Sequence, residues 1–328
     1  MRVLKVVLTV AAFSFFPVPD ARGYNAGPLV FDNIDSRSSA MGGPMIALDN
    51  RVNDVFINPA GLGLLRKQGM TVTHSFEFMG ISNSFIGIAM PLGKYGIGAG
   101  WNRKFTDIET TDETNRGESV RYSNNNVVLA LAYTGFHPML VGTDFRYIHK
   151  HFARFRMSGV TLDTGFKVSI TKNFTIAYAV KNLFFKRLKG RSYWNDNTVE
   201  ETLDTVLAVG IFKSGNYFLR LPERAGYNRV SSTGTVTGRG EQGGVFKKMN
   251  IRTGIGFDIK TFIRDFLTAS FIIGGEVVVE RSLGIRLGWE SVQGISAGLS
   301  VYYKRLKIDY AFLPGKYLGS THKVSLTF

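Results

Sequence analysis

Cysteine is absent from all 328 residues, which excludes disulfides, thiolate metal sites and cysteine nucleophiles together. The same absence suits a chain that crosses an oxidising compartment, since no wrong pairing can form there. Beyond the N-terminus the sequence also lacks any run of about 20 consecutive apolar residues, so no transmembrane helix is predicted, and a membrane could be crossed only by strands. Catalytic signatures are missing as well: there is no HExxH, no GxSxG, no P-loop and no GxGxxG after a strand. The five histidines are scattered. His149 and His151 share a strand face but read as solvated residues near a strand end rather than as a metal pair. The chain is therefore expected to be no enzyme and to carry no cofactor.

What is present begins with an export signal. Arg2 and Lys5 precede an apolar run from Val6 to Phe16, and Ala21 and Gly23 place small residues where a signal peptidase reads them. Residues 1–23 are expected to be removed, with cleavage between Gly23 and Tyr24. The run is too short for a membrane anchor, and Pro17 and Pro19 end it. The formal charge is +15; taking away Arg2, Lys5, Arg22 and Asp20 leaves +13. A basic surface of this size implies anionic neighbours. An export signal and the lack of any helix-turn-helix or RNA-binding signature argue against nucleic acid, and leave the phosphates of outer-membrane lipid.

From Gly69 to Phe328 the sequence is a long series of alternating strands. Glycine, at 37 residues, and aromatics, at 13%, are both abundant. The clearest strand is Val160 to Ile170, where Val160, Leu162, Phe166, Val168 and Ile170 share one face while Asp163, Gly165, Lys167 and Ser169 share the other. Ile251 to Ile259 likewise puts Arg252, Gly254, Gly256 and Asp258 on a wet side. Alternation alone cannot say which face points inward, because a soluble β domain and a porin-like barrel share it. The export signal, strands of about ten residues, tight turns alternating with long polar loops, and the terminal Phe328 favour the barrel.

Fifteen stretches alternate, and the weakest, 216–222, is short and runs into Pro222. An even number is needed if both ends lie on one side, so the expectation is fourteen strands. Tight turns are predicted at 93–94, 171–173 and 214–216, and long loops at 107–121, 187–201 and 223–248. The wet faces carry charges of both signs, among them Asp163, Lys167, Arg252, Asp258, Arg286 and Asp309. Enclosed in a barrel they would need partners, which points to an ion-pair lattice more than to a channel lined by one sign.

Ahead of the strands, Ser36 to Leu65 is rich in small residues and broken by Gly42, Gly43, Pro44, Pro59, Gly61 and Gly63, so it can be neither a long helix nor a strand. A compact plug is expected over residues 24–68. Its order of MGG, an apolar stretch, Asp54, Phe56 and NPAGL resembles the N-terminal hatch of the FadL-like outer-membrane fatty-acid transporter superfamily, particularly its PorV/PorQ branch. The matching residues are Met41, Gly42, Gly43, Ala47, Asp54, Phe56, Asn58, Pro59, Ala60, Gly61 and Leu62. The last stretch, IDYAFLPGKYLGSTHKVSLTF, is similar to the final strands of that branch.

The resemblance implies a bacterial outer-membrane β-barrel at 69–328, with a periplasmic hatch gated by Gly42, Gly43, Asn58, Pro59 and Ala60. It also implies recognition of Phe328 by the barrel-assembly machinery, and a hydrophobic ligand such as a long-chain fatty acid. The alternative it implies is a non-transporting docking component for protein secretion or surface attachment.

Overall fold

The computed structural model describes residues 34–43, 45–48, 51–77, 80–109, 119–152, 155–185, 187–192, 198–222, 246–263, 265–315 and 319–328. The expected export signal, 1–23, and the first part of the expected plug lie outside the described residues. No helix among the described residues is long and apolar enough to cross a membrane.

Among the described residues, sixteen strands form one antiparallel sheet. They are β1 (Gly69–Phe76), β2 (Ser82–Leu92), β3 (Tyr95–Glu109), β4 (Ser119–Tyr133), β5 (Met139–Phe152), β6 (Phe155–Thr171), β7 (Phe174–Phe184), β8 (Arg187–Ser192), β9 (Thr198–Thr202), β10 (Val206–Pro222), β11 (Phe246–Phe262), β12 (Asp265–Val279), β13 (Leu283–Glu290), β14 (Gly294–Tyr303), β15 (Leu306–Leu313) and β16 (Thr321–Thr327). Strands β8 and β9 make a side hairpin on the end of β6, with Phe155 opposite Ser192. The other fourteen close on themselves: β7 pairs with β10, β5 with β6, and β1 with β16 through Thr71 opposite Thr327. Closure leaves no free edge in the wall.

Closure also settles the direction of the alternation. Ile88, Leu129, Leu131, Phe145, Ile285, Leu287 and Leu299 stand exposed on the outside, together with many neighbours of the same kind. On β6, Thr161, Asp163 and Lys167 are each 0% exposed. The charged face is the buried one, and the apolar face is the outer one. Such a continuous apolar exterior far exceeds what soluble monomers show and is suited to contact with hydrocarbon.

Tight connections at 93–94, 172–173, 280–282 and 304–305 lie on the rim that also holds Gly69 and Phe328. Gly93 (φ 58°), Glu280 (φ 50°), Arg281 (φ 53°) and Lys304 (φ 54°) supply the positive φ that tight hairpins of two or three residues use.

Two expectations need correction. No turn occurs at 214–216: β10 runs unbroken from Val206 to Pro222, and Gly215 pairs with Thr253. A full partner strand outweighs the turn preference of Ser-Gly-Asn, as tertiary pairing commonly outweighs local propensity. As a result, Pro222 and Phe246 pair with each other beyond the rim of tight turns; of the long loops expected at 107–121 and 223–248, residues 110–118 and 223–245 lie outside the described residues. The stretch 187–201 is also not a plain loop, since it contains the β8–β9 hairpin.

Candidate functional site: the packed lumen

Residues 34–65 touch the inner face of the wall on nearly every side. Helix α1 (Ser36–Ser39) starts at Asp35, whose carboxylate accepts from Arg37 N at 3.2 Å and Ser38 N at 3.3 Å. Helix α2 (Asp54–Ile57) ends at Asn58, which is extended (φ −151°, ψ 100°) as a residue before proline must be. Pro59 then opens a 3-10 helix, Pro59–Leu64, at the position where its missing N–H costs nothing.

The segment buries Met41, Met45, Ile46, Leu48, Val55, Phe56, Ile57 and Leu62 against Phe85, Val128, Phe212 and Ile272 of the wall. Full burial of side chains of this size contributes about 1.5–3 kcal/mol each. Phe56 meets Phe85 edge to face, with ring centroids 5.9 Å apart.

Inward-facing glycines let the two backbones come this close. A Cβ at Gly142 would run into Pro59 and Ala60, one at Gly165 into the Asn58 side chain, and one at Gly274 or Gly288 into the Met41 backbone. Gly42 takes φ +95°, and a Cβ there would stand 2.7 Å from Trp289 O; at Gly43 it would be 2.8 Å from Ile272 Cδ1.

Polar groups tie the segment to the wall. Asn58 Oδ1 accepts from Ala60 N at 3.2 Å, and Nδ2 lies 3.3 Å from Ile46 O, 3.4 Å from Phe166 O and 3.5 Å from Tyr178 O. One amide side chain thus pins its own loop and faces two strands. Asp258 Oδ2 accepts from Ile46 N at 2.7 Å. Ser36 Oγ lies 2.6 Å from Ser325 Oγ on β16.

The charges form connected chains. Arg51 reaches Asp35 at 2.7 Å and Asp54 at 3.1 Å, and Asp54 reaches Lys167 of β6 at 3.1 Å. Lys167 also donates to Leu48 O at 2.7 Å. Lys181 of β7 donates to Phe56 O at 2.7 Å and pairs with Asp163 at 3.1 Å, while Arg146 pairs with Asp163 and stacks 4.5 Å over the Phe56 ring. Around the barrel, Arg37 of α1 pairs with Glu276, which pairs with Arg286 at 3.0 Å; Arg286 reaches Asp309 at 3.2 Å and Lys307 reaches it at 2.8 Å. Burial alone would push the Asp35 carboxyl up, but Arg51, Lys307 and Arg37 outweigh it and hold that carboxyl well below the usual carboxylate range.

Of the six lumen charges singled out by alternation, Asp163, Lys167, Asp258, Arg286 and Asp309 are buried in these contacts. Arg252 is exposed at the rim of tight turns. The structure brings Gly42, Gly43, Asn58, Pro59 and Ala60 against the wall, but at two separate places: β12–β13 for the glycines, and β5–β7 for the NPA run.

Sequence reasoning passed over Asp35, Arg37, Arg51 and Lys181. Lys181 was findable, since it stays in phase with Thr175, Ala177 and Ala179 on the buried face of β7. Charges of both signs inside a segment of small residues were the signal for the other three. His149 and His151 lie on the outward-alternating face of β5, and no group of three metal-ligating residues occurs among the described residues.

Two cavities matter. A polar one of about 550 Å³ opens beside Gly69 and Phe328. An apolar groove of about 460 Å³ is lined by Ile88, Met90, Ile97, Leu129, Leu131 and Phe145, and reaches down to Ala89, Gly98, Ala130 and Asp144. Behind the groove the 3-10 helix rests on the wall: a Cβ at Gly98 would stand 3.3 Å from Leu62 Cδ1.

No family model matches the chain, and no curated protein matches it. Among solved structures it is similar to the CymD monoaromatic hydrocarbon channel, at a TM-score of 0.57 and 10% identity, over 92% of this chain and 97% of that one. It is also similar to the P. putida toluene transporter TodX, at a TM-score of 0.50 and 10% identity, over 94% and 97% of the two chains. A Pseudomonas aeruginosa FadL homologue matches at 0.49 with 10% identity over 93% and 99%, too distant to add weight. What this chain shares with the first two is the fold, a closed fourteen-stranded antiparallel β-barrel.

Proposed function

We propose that this chain is a bacterial outer-membrane β-barrel through which hydrophobic small molecules pass unchanged, with residues 34–68 acting as a hatch. One observation carries the reading: the NPAGL helix sits directly behind an apolar groove in the outer wall. The groove indents the outer wall where Ala89, Gly98 and Ala130 offer little side chain, and Leu62 packs on the inner side of Gly98. Displacing the helix would leave only paired backbone and small side chains between the lumen and a surface that faces hydrocarbon, and a sideways exit for an apolar molecule would need β3 to part from a neighbour there as well. The names of the two similar structures, a monoaromatic hydrocarbon channel and a toluene transporter, support cargo of this class. Long-chain fatty acids are cargo of the same class, as expected from the hatch resemblance. The residues given roles are Asn58, which holds the helix to β6 and β7, Pro59, which sets its path, and Ala60, which packs under Gly142.

A second reading is favoured by a different observation. The lumen is filled by side chains and paired charges, and a barrel that only anchors or docks another protein at the cell surface needs no open path.

One experiment separates the two. Asn58→Ala combined with Pro59→Ala should leave a barrel that closes normally, because the wall strands pair without the segment, and should change uptake of a fluorescent fatty acid in cells lacking their own transporter. Gel mobility reports barrel formation alongside. Intact barrels with no uptake before or after the change would remove the transport reading and leave docking ahead.

A further inference from the structure

The polar cavity beside Gly69 and Phe328 belongs to neither the groove nor the NPAGL contact. It lies at the rim of tight turns, between the start of β1, the end of β16 and the linker 65–68, and measures about 550 Å³. Small-molecule sites are commonly about 300–1,000 Å³.

Its charge is lopsided. Six cations line it, Arg37, Arg51, Arg66, Lys67, Arg252 and Lys307, against the carboxylates of Asp35 and Glu276. Both side-chain carboxylates are already taken, Asp35 by Arg51 at 2.7 Å and Glu276 by Arg37 and Arg286. Arg66, Lys67 and Arg252 are exposed and make no ion pair among the described residues. Three cations thus face one concave space whose acids are occupied. A cleft lined by one sign within low-dielectric walls concentrates the opposite charge, and guanidinium groups match the paired oxygens of carboxylate and phosphate. The rest of the wall sets the apolar side chains of Val52, Leu65, Val278 and Phe328 beside polar ones such as Tyr302 and Thr327.

We propose that this cavity is a binding site for a small amphiphilic oxyanion, a carboxylate or phosphate carried on a compact apolar body, held by Arg66, Lys67 and Arg252. The oxyanion sits against the linker and the start of β11, and the apolar body against Val52, Val278 and Phe328. The site does not depend on whether anything passes through the barrel.

The test uses the full exported chain, folded in an uncharged maltoside detergent, with 4-phenylbutyrate as the probe and 4-phenylbutanamide as its uncharged counterpart. Calorimetric titration should show the acid binding at least tenfold more tightly than the amide, with affinity falling as salt screens the charges. The triple variant Arg66→Gln, Lys67→Gln, Arg252→Gln should weaken the acid at least tenfold while keeping the gel mobility of the closed barrel. A control triple variant at exposed cations of the opposite rim, Arg121→Gln, Lys189→Gln and Arg191→Gln, should bind the acid as the parent does. Equal binding of acid and amide would overturn the proposal, as would an unchanged affinity in the cavity variant or an equal loss in the control.

Discussion

Replacing Lys167 by methionine keeps the length and most of the volume of the side chain while removing one charge from a buried pair. In the native lumen, Lys167 Nζ lies 3.1 Å from Asp54 and 2.7 Å from Leu48 O, and both charged side chains are 0% exposed. Removing one partner of a buried pair costs about 3–5 kcal/mol, because the other charge is left without compensation. Asp54 keeps Arg51 at 3.1 Å, so the lower end, about 3 kcal/mol, applies. The cost falls on the attachment of the segment, since β5, β6 and β7 pair through backbone bonds that Lys167 does not supply. About 3 kcal/mol corresponds to about a hundredfold larger population of the detached segment.

The absence of cysteine makes this readable. Val55 is 0% exposed and close to it in size, so Val55→Cys introduces a single thiol behind the wall. Its labelling by a maleimide should accelerate about a hundredfold in Lys167→Met. Asp54→Asn should act similarly. The double variant should fall short of the sum by about 1–3 kcal/mol, as expected for groups in direct contact. Unchanged labelling accompanied by a loss of barrel closure would refute the reasoning, because the charge would then be holding the wall and not the segment.

Three further outcomes are expected. Leu129→Arg, at an outward site 61% exposed, should impair membrane assembly by about 2–4 kcal/mol if it lies near the bilayer midplane, whereas Ser123→Thr near the strand end should be mild; folding yields in lipid vesicles compare them. Gly288→Val should loosen the segment and speed Val55→Cys labelling, since the added side chain would occupy the space of the Met41 backbone. Because the Asp35 carboxyl is depressed in the folded chain, its contribution is fully present above the unfolded value of about 3.9 and is lost as pH falls below that. The Asp35 contacts should therefore leave Val55→Cys opening flat between about pH 5 and 8, followed by hydrogen exchange to avoid the pH dependence of the thiol itself, and should favour opening only in more acidic solution.

Period-two alternation is a local property, and on the chain alone it marked out fifteen stretches, thirteen of them wall strands with ends within a few residues of those observed and the other two the halves of β10. Val160 to Ile170 displayed its two faces in sequence, and the small residues of 36–65 announced a segment that could be neither a long helix nor a regular strand. Alternation is symmetric under exchange of inside and outside, however, so which face was buried waited on closure. Closure depends on β1 meeting β16 across the whole length of the chain.

The partners of the lumen charges were equally out of reach, because Lys167 and Asp54 are 113 residues apart and Arg37 and Glu276 are 239 apart. Alternation gathers the charges on one face, and only the folded barrel shows that this face is the inner one and what each charge meets there. The unbroken β10 teaches the same lesson in reverse: Ser214, Gly215 and Asn216 are turn residues by local preference, and only the pairing with β11 holds them in a strand. Local chemistry determined the elements and their two faces. Tertiary contact decided the inside, the partners, and the place of the NPAGL helix behind the groove, since each of these depends on distances between residues far apart in the chain.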